Sequence, residues 1–134
     1  MKTLLLKLPN LIPPSYNKCL QIIYSLKYIE LSREAKHFKY QVKQFMPIWV
    51  REPSELPLDR CYFKVSIGIC QDWFCKKGTL KKQDISNLDK LIIDAVFEKL
   101  GVDDSRVIHM GIYKIQSTTE VNTSVEVIAL EQWI

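Results

Sequence analysis

No apolar run in these 134 residues approaches the ~20 that a membrane-crossing helix requires. The opening MKTLLLKLPNL loses its apolar run at Lys7, after three leucines, and no small-residue cleavage site follows. A short strand is therefore expected there rather than a signal peptide, and with it a cytoplasmic location. The four cysteines, at 19, 61, 70 and 75, form no CxxC pair, which argues against a zinc site and for free thiols in a reducing compartment. Repeats, low-complexity tracts and an internal boundary are also lacking, so residues 1–134 read as a single domain large enough to bury a core. Acidic residues are scarce in the first part of the chain. Residues 1–82 hold 6 Asp/Glu against 15 Lys/Arg, whereas residues 83–134 hold 9 against 4. A basic half beside an acidic cluster suits a metal-dependent enzyme acting on a polyphosphate backbone; a plain solvated basic surface fits the charge equally well.

Along the chain, residues 3–8 read as a strand, and Pro9, Pro13 and Pro14 impose an extended or turning segment. Residues 18–31 fit either a helix or an extended run. Ser32 is a helix cap, and a helix to about Met46 places Ala35, Phe38, Val42 and Phe45 on its core face, with Arg33, Lys36, Lys39 and Lys43 opposite. Residues 50–59, with Pro53 and Pro57, are a loop. Residues 61–69 alternate in period two, as a strand with one buried face does. A lysine-rich connection, QDWFCKKGTLKKQ, leads to a second helix expected over Ser86–Leu100. Strands are expected over about Arg106–Gln116 and again over TSVEVIAL. The order strand, helix, strand, helix, strand, strand predicts a small α+β domain with a mixed sheet packed against two main helices.

The second helix has carboxylates at both ends: Asp84 before it, Asp103 and Asp104 after Gly101. A helix C-terminus disfavours anions, so a positive partner is called for, and a divalent cation is the natural one. On the helical wheel Leu88, Leu91, Ile92, Ala95 and Val96 face the core, while Asn87, Lys90, Asp94 and Glu98 form a separate stripe. Gly101 permits a sharp exit that returns Asp103 and Asp104 to the neighbourhood. Carboxylates around a lysine suit magnesium-assisted phosphodiester hydrolysis: the ion takes oxygen ligands and keeps waters, and the lysine offsets charge building on the phosphate. Each residue also has a plainer role available. Ser86 with Asp89 reads as a capping box, Asp84 as a turn residue, Lys90 with Asp94 as a surface ion pair, Asp103–Asp104 as an acidic turn, and His37 and His109 as structural or exposed side chains.

The stretch D-I-S-N-L-x-K-x(3)-D-A-x(5)-G-V-D-D-S-R-V, residues 84–107, resembles the signature of the RusA family of Holliday junction resolvases. Leu8-Pro9 and Pro13-Pro14-Ser15-Tyr16-Asn17 resemble that family's opening, with a slightly longer spacing. The resemblance implies a RusA-like fold and a homodimeric, magnesium-dependent endonuclease, with manganese as a substitute, that resolves four-way DNA junctions by paired cuts; such proteins are often carried by phages and prophages. Carried over by position, Asp84, Lys90 and Asp104 are the catalytic residues. Asp84 and Asp104, with Asp103 beside it, hold the metal, and Ser86, Asn87 and Asp94 support the site. Lys76, Lys77, Lys81 and Lys82 fall in a basic segment that engages DNA, together with Asn17 in the opening loop.

One position departs from the pattern. Ser86 stands where the family has its second motif aspartate, and a neutral hydroxyl is a weaker magnesium ligand than a carboxylate. Three outcomes are open: Asp103 and Asp104 together supply the missing ligand, Asp94 leans in, or the protein binds junctions and cuts them poorly. The expected function is a structure-selective endonuclease of DNA recombination and repair. Its rivals are a weakened junction-binding protein on the same fold and a nuclease for another branched or single-stranded substrate.

Overall fold

Alternating apolar residues build the sheet on which everything else rests. The computed structural model describes residues 2–14, 20–23, 28–81, 85 and 88–133. Strand β1 (Lys2–Pro9) buries Leu4, Leu6 and Leu8; β4 (Tyr62–Gln71) buries Phe63, Val65, Ile67 and Ile69; β6 (Asn122–Leu130) buries Val125, Val127 and Ala129. The register brings these sets onto one face, with Leu4 opposite Val127 and Val65 opposite Val127 on its other side. Strand β5 (Val107–Gln116) completes a four-stranded sheet in the order β1-β6-β4-β5. All neighbours are antiparallel except β4 and β5, which run parallel. A parallel pair cannot be closed by a hairpin and needs a crossover.

That crossover is helix α2 (Asp89–Leu100), which packs against α1 (Arg33–Phe45) over the buried sheet face. The mixed sheet and two helices are the expected α+β architecture. Ser32 caps α1 as expected, its Oγ accepting from the Ala35 N–H at 3.2 Å, and the helix stops before Pro47. Where the ambiguous stretch is described it is extended: β2 (Leu20–Ile23) and β3 (Tyr28–Leu31) form a separate antiparallel pair. Isoleucine and tyrosine favour this pleated arrangement over a helix, and the cross-strand pairing decides it.

Two expectations need correction. Helix α2 begins at Asp89, not at Ser86, and its cap position is Leu88, with no side-chain cap hydrogen bond. Asp89 is thus the first helical residue; the expected capping box rests on Ser86, which lies outside the described residues. The chain first makes a turn in which the Leu88 N–H donates to the Ile85 carbonyl at 3.1 Å. Leu88 is buried and Ile85 packs on the core, and burial of these two apolar side chains favours this start of the helix. The basic stripe of α1 is also less free than a solvated face would be. Lys39 and Lys43 converge on Glu98 of α2, at 2.7 and 2.6 Å, and tie the two helices together.

Candidate functional site

Gly101 shapes the site first. It adopts a left-handed φ of 71° at the end of α2, where its N–H donates to the Glu98 carbonyl and the Val102 N–H to Phe97. Only glycine takes this conformation without steric cost, so the chain reverses at once and does not extend the helix. A short 3-10 turn (Asp104–Arg106) follows, and Asp103 caps it by accepting the Ser105 N–H at 2.8 Å. These hydrogen bonds from Ser105 hold the Asp103 carboxyl below its ordinary range. At the other end of the turn, the Arg106 guanidinium donates to the Cys61 carbonyl at 2.7 Å and lies over the Tyr62 ring at 5.1 Å. Asp104 is therefore held between a capped start and an arginine anchor on β4, neither of which depends on Asp104 itself. The role of Arg106 was hidden in the sequence, because its partner is a backbone carbonyl 45 positions away.

Two adjoining hollows meet at Asp94 and Asp104. One, of about 370 Å³, is lined by Asp89, Lys90, Ile93, Asp94, Asp104 and Met110. The other, of about 400 Å³, is lined by Asp94, Phe97, Glu98, Gly101, Val102, Asp103 and Asp104. Positions 89, 90, 93 and 94 are adjacent ridges one turn apart on α2, which is why all four face one space. Of the residues expected at the site, the fold brings together Lys90, Asp94 and Asp104, and sets Asp103 in the neighbouring hollow. Asp84, Ser86, Asn87, Lys82 and Asn17 lie outside the described residues. Asp89 is an addition that the sequence reading had treated only as a capping partner.

The carboxylates are crowded. Asp94 keeps contact with solvent, yet partial burial pushes its carboxyl up, Lys39 opposes that, and the nearby Asp104 and Glu98 carboxylates push further up against Lys90. Glu98, by contrast, is pulled below the ordinary glutamate range by hydrogen bonds from Lys39 and Lys43. Carboxylates gathered on one hollow are a place where a cation would be stabilised. Among the described residues no three His, Cys, Asp or Glu side chains group closely enough to cage an ion. A hard divalent ion of the magnesium type does not require such a cage, since it binds through one or two carboxylates together with phosphate oxygens and water. The donor set fits that description. Among the described residues, Asp89 Oδ1 is a buried oxygen with no hydrogen-bond partner.

The basic loop stands elsewhere. After β4, the chain forms a small hairpin closed by a Phe74–Leu80 bridge and turned at Gly78, φ 79°. Its base is Trp73, buried, whose indole N–H is shared between the Ile69 and Ile115 carbonyls at 3.1 Å each and whose face carries Lys114 at 4.6 Å. Lys76, Lys77 and Lys81 project from this hairpin, exposed, and none lines either hollow. The hairpin leaves the C-terminal end of β4, whereas the turn holding Asp104 is tied to Cys61 at the N-terminal end. Met110, in the wall of the hollow, pairs with Val65 of β4, which leaves six residues, roughly 20 Å, to the strand's end at Gln71.

No helix among the described residues is long and apolar enough to cross a membrane. No curated protein matches the chain. The family model of endodeoxyribonuclease RusA matches residues 22–128, a span that holds both helices, the lysine hairpin and every wall of the two hollows, while the N-terminal Leu8–Asn17 resemblance falls outside it. With most of its length matched in this way, the chain belongs to the RusA endodeoxyribonuclease family.

Proposed function

We propose that the protein is a magnesium-dependent endonuclease that resolves four-way DNA junctions, with manganese able to replace magnesium, acting as a homodimer in the cytoplasm. The observation that carries this reading is the convergence of Lys90, Asp94 and Asp104 on one hollow in a chain of this family. Asp84 and Asp104 hold the metal, with Asp103 beside them. Bound there, the ion would supply a Lewis acid for the phosphodiester and a water acidified enough to attack it. Lys90 faces the charge that builds on the scissile phosphate. Asp94 lines the same hollow, where burial first and then the Asp104 carboxylate push its carboxyl up. Asn87 and Ser86 are assigned to support of the site by their place in the family signature. Lys76, Lys77, Lys81 and Lys82, with Asn17, grip the sugar-phosphate backbone of the junction arms.

The test is cleavage of a synthetic four-way junction across a magnesium titration. Cutting is expected with the metal and is lost in Asp84→Asn and Asp104→Asn. A second reading, a junction-binding protein that cuts poorly, draws on Ser86 standing in place of a motif aspartate. Tight binding with intact junctions in both magnesium and manganese would select it, and a Ser86→Asp variant that gains cutting would show the cause.

A further inference from the structure

We infer that the sheet face turned away from both helices is the surface through which two copies of the chain pair. The inference rests on the homodimer proposed above and names its surface. Period-two alternation sends Leu5, Ser66, Tyr113, Ser124 and Glu126 to the side opposite the core. The helices pack on the core side; on this one Leu5 remains 67% and Tyr113 50% exposed, with Ile115 and Ile128 half-buried. Gly68 smooths the face. A Cβ there would lie 2.6 Å from Ile115 Cδ1, 2.9 Å from Ser124 Oγ and 3.3 Å from the Tyr113 ring, so glycine lets the β5 side chains lie across β4. The result is a shallow trough of about 360 Å³. It is lined by the small Ser124 and Ser66 on the two inner strands and by Leu5 and Tyr113 on the two outer ones.

Size and charge select a second copy as the occupant. The four strands are eight to ten residues long. At the usual strand spacing and rise the face measures roughly 19 by 30 Å, about 570 Å² before side-chain relief. A standard interface takes about 800 Å² from each partner, which such a face approaches once its side chains are counted. Lys7 and Glu126 both stand in the trough, and among the described residues neither makes an ion pair. Under a two-fold axis every contact occurs twice, so the Lys7 of each copy meets the Glu126 of the other. Sheets stack face to face at about 10 Å, close enough for Leu5 and Tyr113 to fill the facing trough. DNA is a poorer occupant. Glu126 sits within the face, between Leu5 and Ser66, where it would repel phosphate. Pairing here also leaves the hollow around Lys90 and Asp104 open, since α2 and Met110, which line it, belong to the core side of the sheet.

Sedimentation velocity of the full chain over a range of concentrations tests the surface, and the wild type is expected to be dimeric. Lys7→Glu leaves two negative groups at positions 7 and 126, and Glu126→Lys leaves two positive ones. Each variant alone is expected to dimerise about tenfold more weakly, or worse, while melting as cooperatively as the wild type. Mixed in equal amounts, the two are expected to form a heterodimer about as tight as the wild type, because opposite charges then meet in both places. Tyr113→Lys, on the far outer strand, is expected to weaken pairing as well, and serves should a charge variant fail to fold. A dimer weakened by Lys7→Glu but not by Tyr113→Lys pairs along the β1 edge, which overturns the face. Dimers that all three variants leave intact overturn it too. A wild type that stays monomeric yet cuts junctions with magnesium removes the pairing surface and leaves the nuclease reading standing. One that pairs through this face but neither binds nor cuts junctions does the reverse.

Discussion

Asp104 is the residue on which the reading turns, and its placement depends on neighbours that do no chemistry. On the proposed mechanism, Lys90→Ala and Asp104→Asn each remove a charged group from the hollow, and each is expected to lower junction cleavage by about a hundredfold or more with binding largely retained. Single-turnover assays against a binding titration separate the two effects. Arg106 acts through position alone: its guanidinium holds the turn to the Cys61 carbonyl and stacks on Tyr62. Arg106→Ala is expected to cost about 1–2 kcal/mol of stability, measured by urea unfolding, and to slow cutting more than it weakens DNA binding. Of these residues, Lys90 and Asp104 were legible in the sequence because spacing and resemblance both pointed to them. Arg106 was not, since a carbonyl anchor exists only once the chain is folded.

At the scale of elements, α2 sets where the site opens and α1 sets how firmly α2 is held. Glu98 joins them by accepting from Lys39 and Lys43. Its carboxyl is held below the ordinary glutamate range, so this contribution is fully present at neutral pH and is lost as pH falls through the lowered folded value. Because the Glu98 side chain is half exposed, solvent screening limits the effect to less than about 1 kcal/mol. Glu98→Gln is therefore expected to melt slightly below the wild type at neutral pH, with the gap closing in acid. Thermal scans across the acid range check this. Gly101→Ala imposes a left-handed conformation on a residue with a Cβ and is expected to cost about 1–2 kcal/mol. The same change would shift the Asp104 turn, so cleavage is expected to fall as well.

For the whole molecule, the separation between the lysine hairpin and the Asp104 turn assigns them different work. On the proposed function, DNA that touches both runs along the sheet, and the hairpin is expected to contribute to binding and not to the reacting phosphate. Lys76→Ala/Lys77→Ala is expected to weaken junction binding and to lower the slope of log affinity against log salt by about 2, with the single-turnover rate at saturation unchanged. A saturating rate that falls with the affinity would show that the hairpin reaches the site, within a dimer or otherwise. Dimerisation itself is expected from the two-fold symmetry of a four-way junction, and a strictly monomeric mass in sedimentation would count against junction resolution.

By itself the sequence determined the alternating strands, the apolar stripe of α2, the reversal at Gly101 and the family signature. These are local: period-two or period-3.6 burial and a glycine with positive φ leave their marks within a few residues. Residues 18–31 stayed ambiguous because apolar β-branched and aromatic residues fit both periods until a partner strand is present. Only the tertiary structure decided the rest. Burial of Ile85 and Leu88 moved the start of α2 to Asp89. Pairing across 55 to 59 positions spent Lys39 and Lys43 on Glu98. The parallel crossover carried Asp104 back beside Asp94 while leaving the lysines at the far end of β4. Each of these is a competition between distant groups for the same space or charge, and such a competition has no signature in the order of residues along the chain.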